Sequence, residues 1–178
     1  MPGQHTTLFL NIDGNEVMRT YTIASSPTRP HTITITNKRM QDGVVTNWMH
    51  DNLKIGDCVD ALDIGGSFSV ALDQPKSKIL LMSGGSGITP MLSMTRYFVD
   101  LSLDVDIVFI HNAQSPNDLI SKDELEFYQL NQSNFKRHFI CDVGGNDWVG
   151  PSGFLSSEML LELVPVSYTH LTLPTKRI

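Results

Sequence analysis

Hydrophobic and polar residues alternate through the first part of the chain and gather into short unbroken runs through the second. Leu8, Leu10 and Ile12 fall on one face of a period-two pattern, Asp13-Gly14 follows, and a second run extends from Val17 to Ala24. This predicts a β-hairpin, because the glycine accepts the positive φ that a tight turn demands. Ile33 and Ile35 alternate within His31–Lys38, and Cys58–Leu62 forms another short run after the Ile55-Gly56-Asp57 turn. Between them Val45, Trp48, Met49 and Leu53 sit at helical spacing. Short strands interrupted by one helix predict a small antiparallel barrel.

The pattern changes near Asp73-Gln74-Pro75-Lys76-Ser77, a polar segment with a proline that reads as an interdomain linker. Ile79–Met82 is then continuously apolar, as in a strand buried on both faces. A glycine-rich turn, Gly84–Pro90, leads into a helix with Met91, Met94, Phe98 and Leu101 on one side. Val105–Ile110 and Phe139–Val143 read as further strands, and Glu158–Val164 as a helical stretch. Ser121 and Glu124 have the spacing of a capping box for the helix between those strands. The alternation predicts a parallel α/β sheet over residues 75–165, after a barrel over residues 1–74.

Composition narrows the function classes. A formal charge of -6 with no basic stripe argues against a nucleic-acid binder. No apolar run approaches the ~20 residues of a membrane helix, and the opening residues lack the pattern of a signal peptide, so a soluble cytoplasmic protein is expected with no membrane partner. Cys58 and Cys141 read as reduced, half-buried thiols, and two thiols cannot ligate a plant-type iron–sulfur cluster. The six histidines are scattered without metal-ligand spacing, so no metal site is expected. Ser86 sits in Gly-Ser-Gly and not in a hydrolase elbow.

Gly84, Gly85 and Gly87 lie between a buried strand and a helix, where backbone amides can approach a pyrophosphate at the positive end of that helix. Thr89 suits an N-cap and Pro90 the first helical position. Taken alone, such a loop also serves as a mere tight turn. It departs from the dinucleotide fingerprint of ordinary dehydrogenases: Pro90 stands at the third glycine's place, and His111-Asn112 follows the second strand where a ribose-binding acid would be.

Arg19-Thr20-Tyr21-Thr22 followed by Gly84–Pro90 resembles the ferredoxin–NADP reductase superfamily, in which a Greek-key barrel binds FAD and an α/β domain binds NADH or NADPH. The resemblance runs from Pro2 to about Pro165. It implies that Arg19 pairs with the FAD pyrophosphate, that Tyr21 stacks on the flavin ring, and that Thr22 hydrogen-bonds near its reactive nitrogen. Ile35, Thr36 and Lys38 resemble a second FAD-contacting strand. Gly43, Val44, Val45 and Thr46 resemble the turn that presents helix-terminal amides to the same pyrophosphate, with Thr46 in place of the usual serine. Gly84, Gly85, Ser86, Gly87, Ile88, Thr89 and Pro90 face the pyridine nucleotide by the same resemblance, joined by Asn112, and Thr89 also approaches the flavin edge. Tyr21, Thr22 and Thr89 are thus the expected catalytic residues. Read without the family, Arg19–Thr22 is equally an ordinary strand and Lys38 a solvated lysine.

Within the superfamily the chain looks most like the NADH reductases that serve hybrid-cluster proteins. The implied activity is passage of hydride from NADH to FAD and then of single electrons to an iron–sulfur or haem acceptor. Many relatives that use NADPH carry an arginine or a serine–arginine pair after the second strand of the nucleotide domain. His111–Ser115 offers only a histidine there, which favours NADH while leaving NADPH open. Alternatives are the reductase module of a flavohaemoprotein or oxygenase system, a non-catalytic flavin- or nucleotide-binding subunit, and an inactive fragment. By comparison with the family, the first barrel strands and the last part of the nucleotide domain are expected to be missing. A 2Fe-2S cluster is expected only in a further domain of a parent protein, and Val166–Ile178 reads as a non-native tail.

Overall fold

A computed structural model of the protein describes residues 1–70 and 77–165. The expected linker residues Asp73–Lys76 and the tail from Val166 lie outside the described residues.

Strands β1 (His5–Ile12) and β2 (Asn15–Thr22) form the predicted hairpin, in register from His5 opposite Thr22 to Ile12 opposite Asn15. Asp13 at φ 52° and Gly14 at φ 82° make a two-residue turn whose left-handed residues suit the twist of the strands. The Asn11 side chain secures it by accepting from the Gly14 amide at 3.0 Å. The other edge of β1 pairs with β3 (Asp60–Ala61), giving the order β2-β1-β3. The Ile33–Ile35 segment is less regular than its pattern predicts: it contributes one antiparallel bridge, Ile23 to Ile35. Two of its neighbouring bonds explain this, since Thr34 accepts the Ala24 amide through its carbonyl but gives its own amide to the Ser25 hydroxyl. Helix α1 (Val44–Asn52) covers the hairpin, with Val45 and Met49 packed on Leu10 and Ile12.

In the second half β4 (Lys78–Gly84), β5 (Asp106–Ala113) and β6 (Phe135–Cys141) are parallel in sequential order. Their side chains divide the core by parity, as a pleated strand requires. Ile79, Leu81, Ile107 and Phe109 point to α2 (Thr89–Asp100) and α3 (Lys122–Asn131), where they meet Leu92, Phe98 and Leu125. Leu80, Val108, Ile110 and Ile140 point the other way, toward α4 (Ser157–Leu163) and Val164. Both faces are covered, which explains the unbroken apolar runs, and each such buried side chain contributes ~1.5–3 kcal/mol.

Several local expectations change. Ser121 is left-handed, at φ 54°, and makes no side-chain cap on α3, and the reciprocal half of the box is absent too, since the Glu124 carboxylate is taken by Arg96 and Tyr128. Thr89 is already helical and its predecessor Ile88 is the N-cap. The α2 stripe ends at Phe98, since Leu101 lies past the helix and is exposed. The thiols are not alike: Cys58 is exposed and Cys141 buried. Among the described residues no helix is long and apolar enough to cross a membrane.

Candidate active site

The two halves meet around a cavity of about 280 Å³. One wall is the end of β2, Thr20, Tyr21 and Thr22; a second is Thr36, Asn37, Lys38 and Met40; a third is Thr46 at the start of α1. The nucleotide-domain side contributes Ser86 and Thr89. Residues from the two sequence motifs, far apart in the chain, therefore share one space.

Tyr21 is half-buried and its hydroxyl donates to the Met49 sulfur at 3.3 Å. Burial raises its pKa while the nearby Arg19 lowers it, and the rise prevails, so the phenol is neutral at pH 7. The Asn37 amide donates to the same sulfur, also at 3.3 Å. Arg19 is exposed beside the cavity rather than in its wall, and its guanidinium donates to the Met18 carbonyl at 2.7 Å. Ile35 packs into the apolar cluster under α1, leaving Thr36 and Lys38 at the cavity. The Lys38 ammonium is engaged across the domains by Asp118 at 2.8 Å.

Gly43 caps the start of α1 at close quarters: a Cβ there would lie 2.5 Å from the Thr46 hydroxyl and 3.0 Å from the Met40 Cβ, so a larger residue would force Thr46 to shift. The helix has neither a side-chain cap nor an acidic residue in its first turn. Its first amides, from Val44, Val45 and Thr46, thus form a positive helix end without a competing side-chain acceptor. Val44 is exposed there and Val45 is core.

The glycine loop has the opposite geometry. A Cβ on Gly84 or Gly85 would meet nothing within 4 Å, so the space above the backbone is open, and Gly85 sits at φ 50°. Gly85–Ile88 forms a 3-10 turn that runs directly into α2, with Ile88 fully buried and Pro90 in the first helical turn. The Thr89 hydroxyl donates back to the Ser86 carbonyl at 3.2 Å. Gly84 pairs with Asn112 at the carboxyl ends of β4 and β5, where ligands of open α/β sheets bind. The Asn112 amide is committed to its own sheet, donating to the Ile140 carbonyl and the Asp142 carboxylate at 3.0 Å each.

His111 does not reach out to a ligand. Its side chain is fully buried, Nδ1 lies 3.0 Å from the Ser83 hydroxyl, and the Ile120 amide donates to Nε2 at 3.4 Å. Burial pushes its pKa down to about 4, so it is neutral at pH 7.

Sequence reasoning missed Thr20, Asn37 and Met40 as cavity walls. Thr20 and Asn37 stood inside the quoted segments and could have been taken with them, whereas nothing local marked Met40. Hydroxyl and amide groups around an apolar-backed cavity, an uncapped helix end, and an open glycine cradle fit a flavin dinucleotide on one side and a pyridine nucleotide on the other.

Comparison with known proteins agrees with that chemistry. Residues 1–70 match the oxidoreductase FAD-binding domain and residues 81–175 the oxidoreductase NAD-binding domain. The chain belongs to the FAD- and NAD-binding oxidoreductases. This oxidoreductase is 45% identical over 167 residues to the glycine betaine monooxygenase reductase subunit of Chromohalobacter salexigens, covering 92% of the chain and 45% of that protein. It is 31% identical over 156 residues to the NADH oxidoreductase HCR of Escherichia coli, covering 86% of the chain and 48% of that protein. Its fold is that of an Amycolatopsis cytochrome P450 reductase, with TM-score 0.79, 19% identity and coverage of 91% and 49% of the two chains. The chain spans about half the length of the curated relatives it matches.

Proposed function

We propose that this chain is the cofactor-binding core of an FAD-dependent NADH oxidoreductase that delivers electrons to an iron–sulfur or haem acceptor. The observation that carries the reading is the shared cavity, in which Tyr21, Thr22 and Thr46 from the first half face Ser86 and Thr89 from the second. FAD, when bound, supplies the chemistry that accepts a hydride from NADH and releases electrons singly. The chain's own residues bind and orient. Tyr21 and Thr22 form the flavin-facing wall, the amides of Gly43–Thr46 with Arg19 attract its pyrophosphate, and Gly84–Pro90 cradles the pyridine nucleotide. Thr89, held by its bond to Ser86, lies between the two sites. Lys38 supplies the cation at the rim, and Thr36 a hydroxyl in the wall.

The boundaries that suit this reading are 1–74 for the FAD part and 75–165 for the nucleotide part, with a 2Fe-2S centre in a further domain of the parent protein. NADH is favoured over NADPH because residues 114–121, which follow β5, include no arginine or lysine, and His111, inside β5, is buried and neutral. Among acceptors, an oxygenase component is favoured over a hybrid-cluster protein, since identity is 45% to a monooxygenase reductase subunit and 31% to the HCR reductase. The test is incubation with FAD, desalting, and anaerobic addition of NADH. A retained flavin band that NADH bleaches supports the reading. A folded chain that retains no flavin, or a retained flavin that NADH leaves unchanged, overturns it.

A further inference from the structure

The helix that starts at the glycine loop also grips the other half of the molecule. Ser93, Arg96 and Asp100 lie three and four residues apart, on one face of α2. The Ser93 hydroxyl donates to the Ser25 carbonyl at 2.7 Å, and Arg96 Nη1 to the Ala24 carbonyl at 2.7 Å. Asp100 accepts from Arg29 at 2.9 and 2.6 Å. Ala24, Ser25 and Ser26 are all buried. This segment continues directly from Tyr21 and Thr22, so Ala24 lies only ~7 Å along the chain from the cavity wall. Arg96 lies ~10 Å along α2 from Thr89, the cavity's opposite wall.

Arg96 differs from its two neighbours in the stripe. Arg29 is half exposed and its pair with Asp100 sits at the rim, while Ser93 makes a single neutral bond. Arg96 is largely buried and splits its fork of donors. Nε and Nη2 hold both Glu124 oxygens, at 2.7 and 2.6 Å, which leaves Nη1 aimed at Ala24. Tyr128 in turn donates to Glu124 at 2.8 Å and fixes the carboxylate. A lysine presents one point charge and could not serve both partners in this geometry.

We propose that Arg96 is a positioning residue that sets the flavin-facing strand against the nucleotide-binding helix, with Glu124 and Tyr128 holding its guanidinium in place. The inference rests on the oxidoreductase reading above. A small displacement between the two sites is costly to rate but not to either ligand's own binding contacts, since a shift of ~1 Å is worth on the order of a hundredfold.

The test uses the full chain loaded with FAD and compares it with Arg96→Ala, Arg96→Lys and Glu124→Gln. Flavin affinity, NADH half-saturation, the anaerobic bleaching rate at saturating NADH, and amide exchange at Ala24 and Thr34 are measured on each. Arg96→Ala is expected to slow bleaching by about tenfold or more, with flavin affinity and half-saturation within about twofold, and to speed exchange at both amides. Arg96→Lys and Glu124→Gln should fall between it and the parent chain. An unchanged bleaching rate in folded Arg96→Ala overturns the inference, as does a loss of rate matched by equal losses of both affinities. If Arg96→Ala lacks a cooperative melt, the lysine and glutamine variants decide by the same criteria. If the parent chain holds FAD that NADH never bleaches, the functional reading fails by itself, and unaltered exchange at Ala24 and Thr34 in the variants would separately sink the positioning role.

Discussion

Lys38 and Asp118 meet at 2.8 Å across the two halves of the molecule, at the edge of the cavity that both halves build. Lys38 holds the Asp118 carboxyl below the usual carboxylate range, and Ser115, donating at 2.7 Å, adds to the effect. Both side chains are partly exposed, so the pair stabilises the fold by only ~0.2–1 kcal/mol. Its larger consequence is that the Lys38 ammonium, which lines the cavity, is already engaged. Asp118→Asn should release Lys38 toward an incoming phosphate and tighten NADH binding about two- to fivefold, the equivalent of that small energy. Titration of NADH into the FAD-loaded chain checks this, and weaker binding would show that Asp118 itself helps to hold the nucleotide.

Arg19 tests the flavin end of the site. Its guanidinium is exposed and bonds only to the backbone of its neighbour Met18 among the hydrogen bonds of the described residues, so the fold does not depend on it. Arg19→Ala should weaken FAD retention by about 1.5–3 kcal/mol, the range for hydrogen bonds to charged groups, with the melting temperature unchanged. Equilibrium dialysis of FAD against both chains makes the comparison. Equal retention would mean that the helix end at Gly43–Thr46 suffices for the pyrophosphate.

Gly43 and Gly84 are both expected at cofactor phosphates, yet they should fail differently. Gly84→Ala meets no atom within 4 Å, so the protein should fold normally while NADH affinity falls about tenfold, because the methyl group stands where the ligand approaches. Gly43→Ala collides with the Thr46 hydroxyl and should disturb the start of α1 before any ligand arrives. Thermal melts beside NADH and FAD titrations distinguish the two. A destabilised Gly84→Ala chain with normal NADH affinity would remove the loop from the binding site.

His111 predicts a pH dependence of stability. Its folded pKa is depressed from 6.5 to about 4, so the unfolded chain takes up the proton first as pH falls. The contribution is fully present above pH 6.5 and is lost progressively toward pH 4, on the order of 3 kcal/mol in all. His138, lowered first by burial and then by Arg137 and Lys136, adds in the same direction. Denaturant unfolding at pH 7 and pH 5 should show the drop, and His111→Gln should be less stable at pH 7 but flatter in pH. A variant with the parent's slope would assign the whole effect elsewhere.

What could be read from the sequence was whatever a residue's near neighbours decide. The Asp13-Gly14 hairpin, the α1 spacing and the unbroken strand runs follow from local dihedral preference and burial parity, and the structure has them. The glycine loop was legible because strand, turn and helix follow one another without interruption. Ser121 and Glu124 show where that reading stops. Their spacing is right for a cap, but Arg96 offers Glu124 two charge-assisted bonds from another helix, and those outweigh one bond to a backbone amide. Lys38 is similar, since nothing near it in the chain foretells Asp118. Nor does anything near His111 in the chain foretell that Ser83 and Ile120 pack around it and turn it inward.

The grip of α2 on Ala24–Arg29 also bears on how such proteins can be recombined. A chimera joined between the two halves, near residues 71–76, would inherit the flavin strand from one parent and the helix that seats it from another. Ser93, Arg96 and Asp100 would then face a foreign Ala24–Arg29 segment. The seam in the primary sequence and the seam in cohesion do not coincide, so a working hybrid must carry residues 24–29 together with α2 from a single donor.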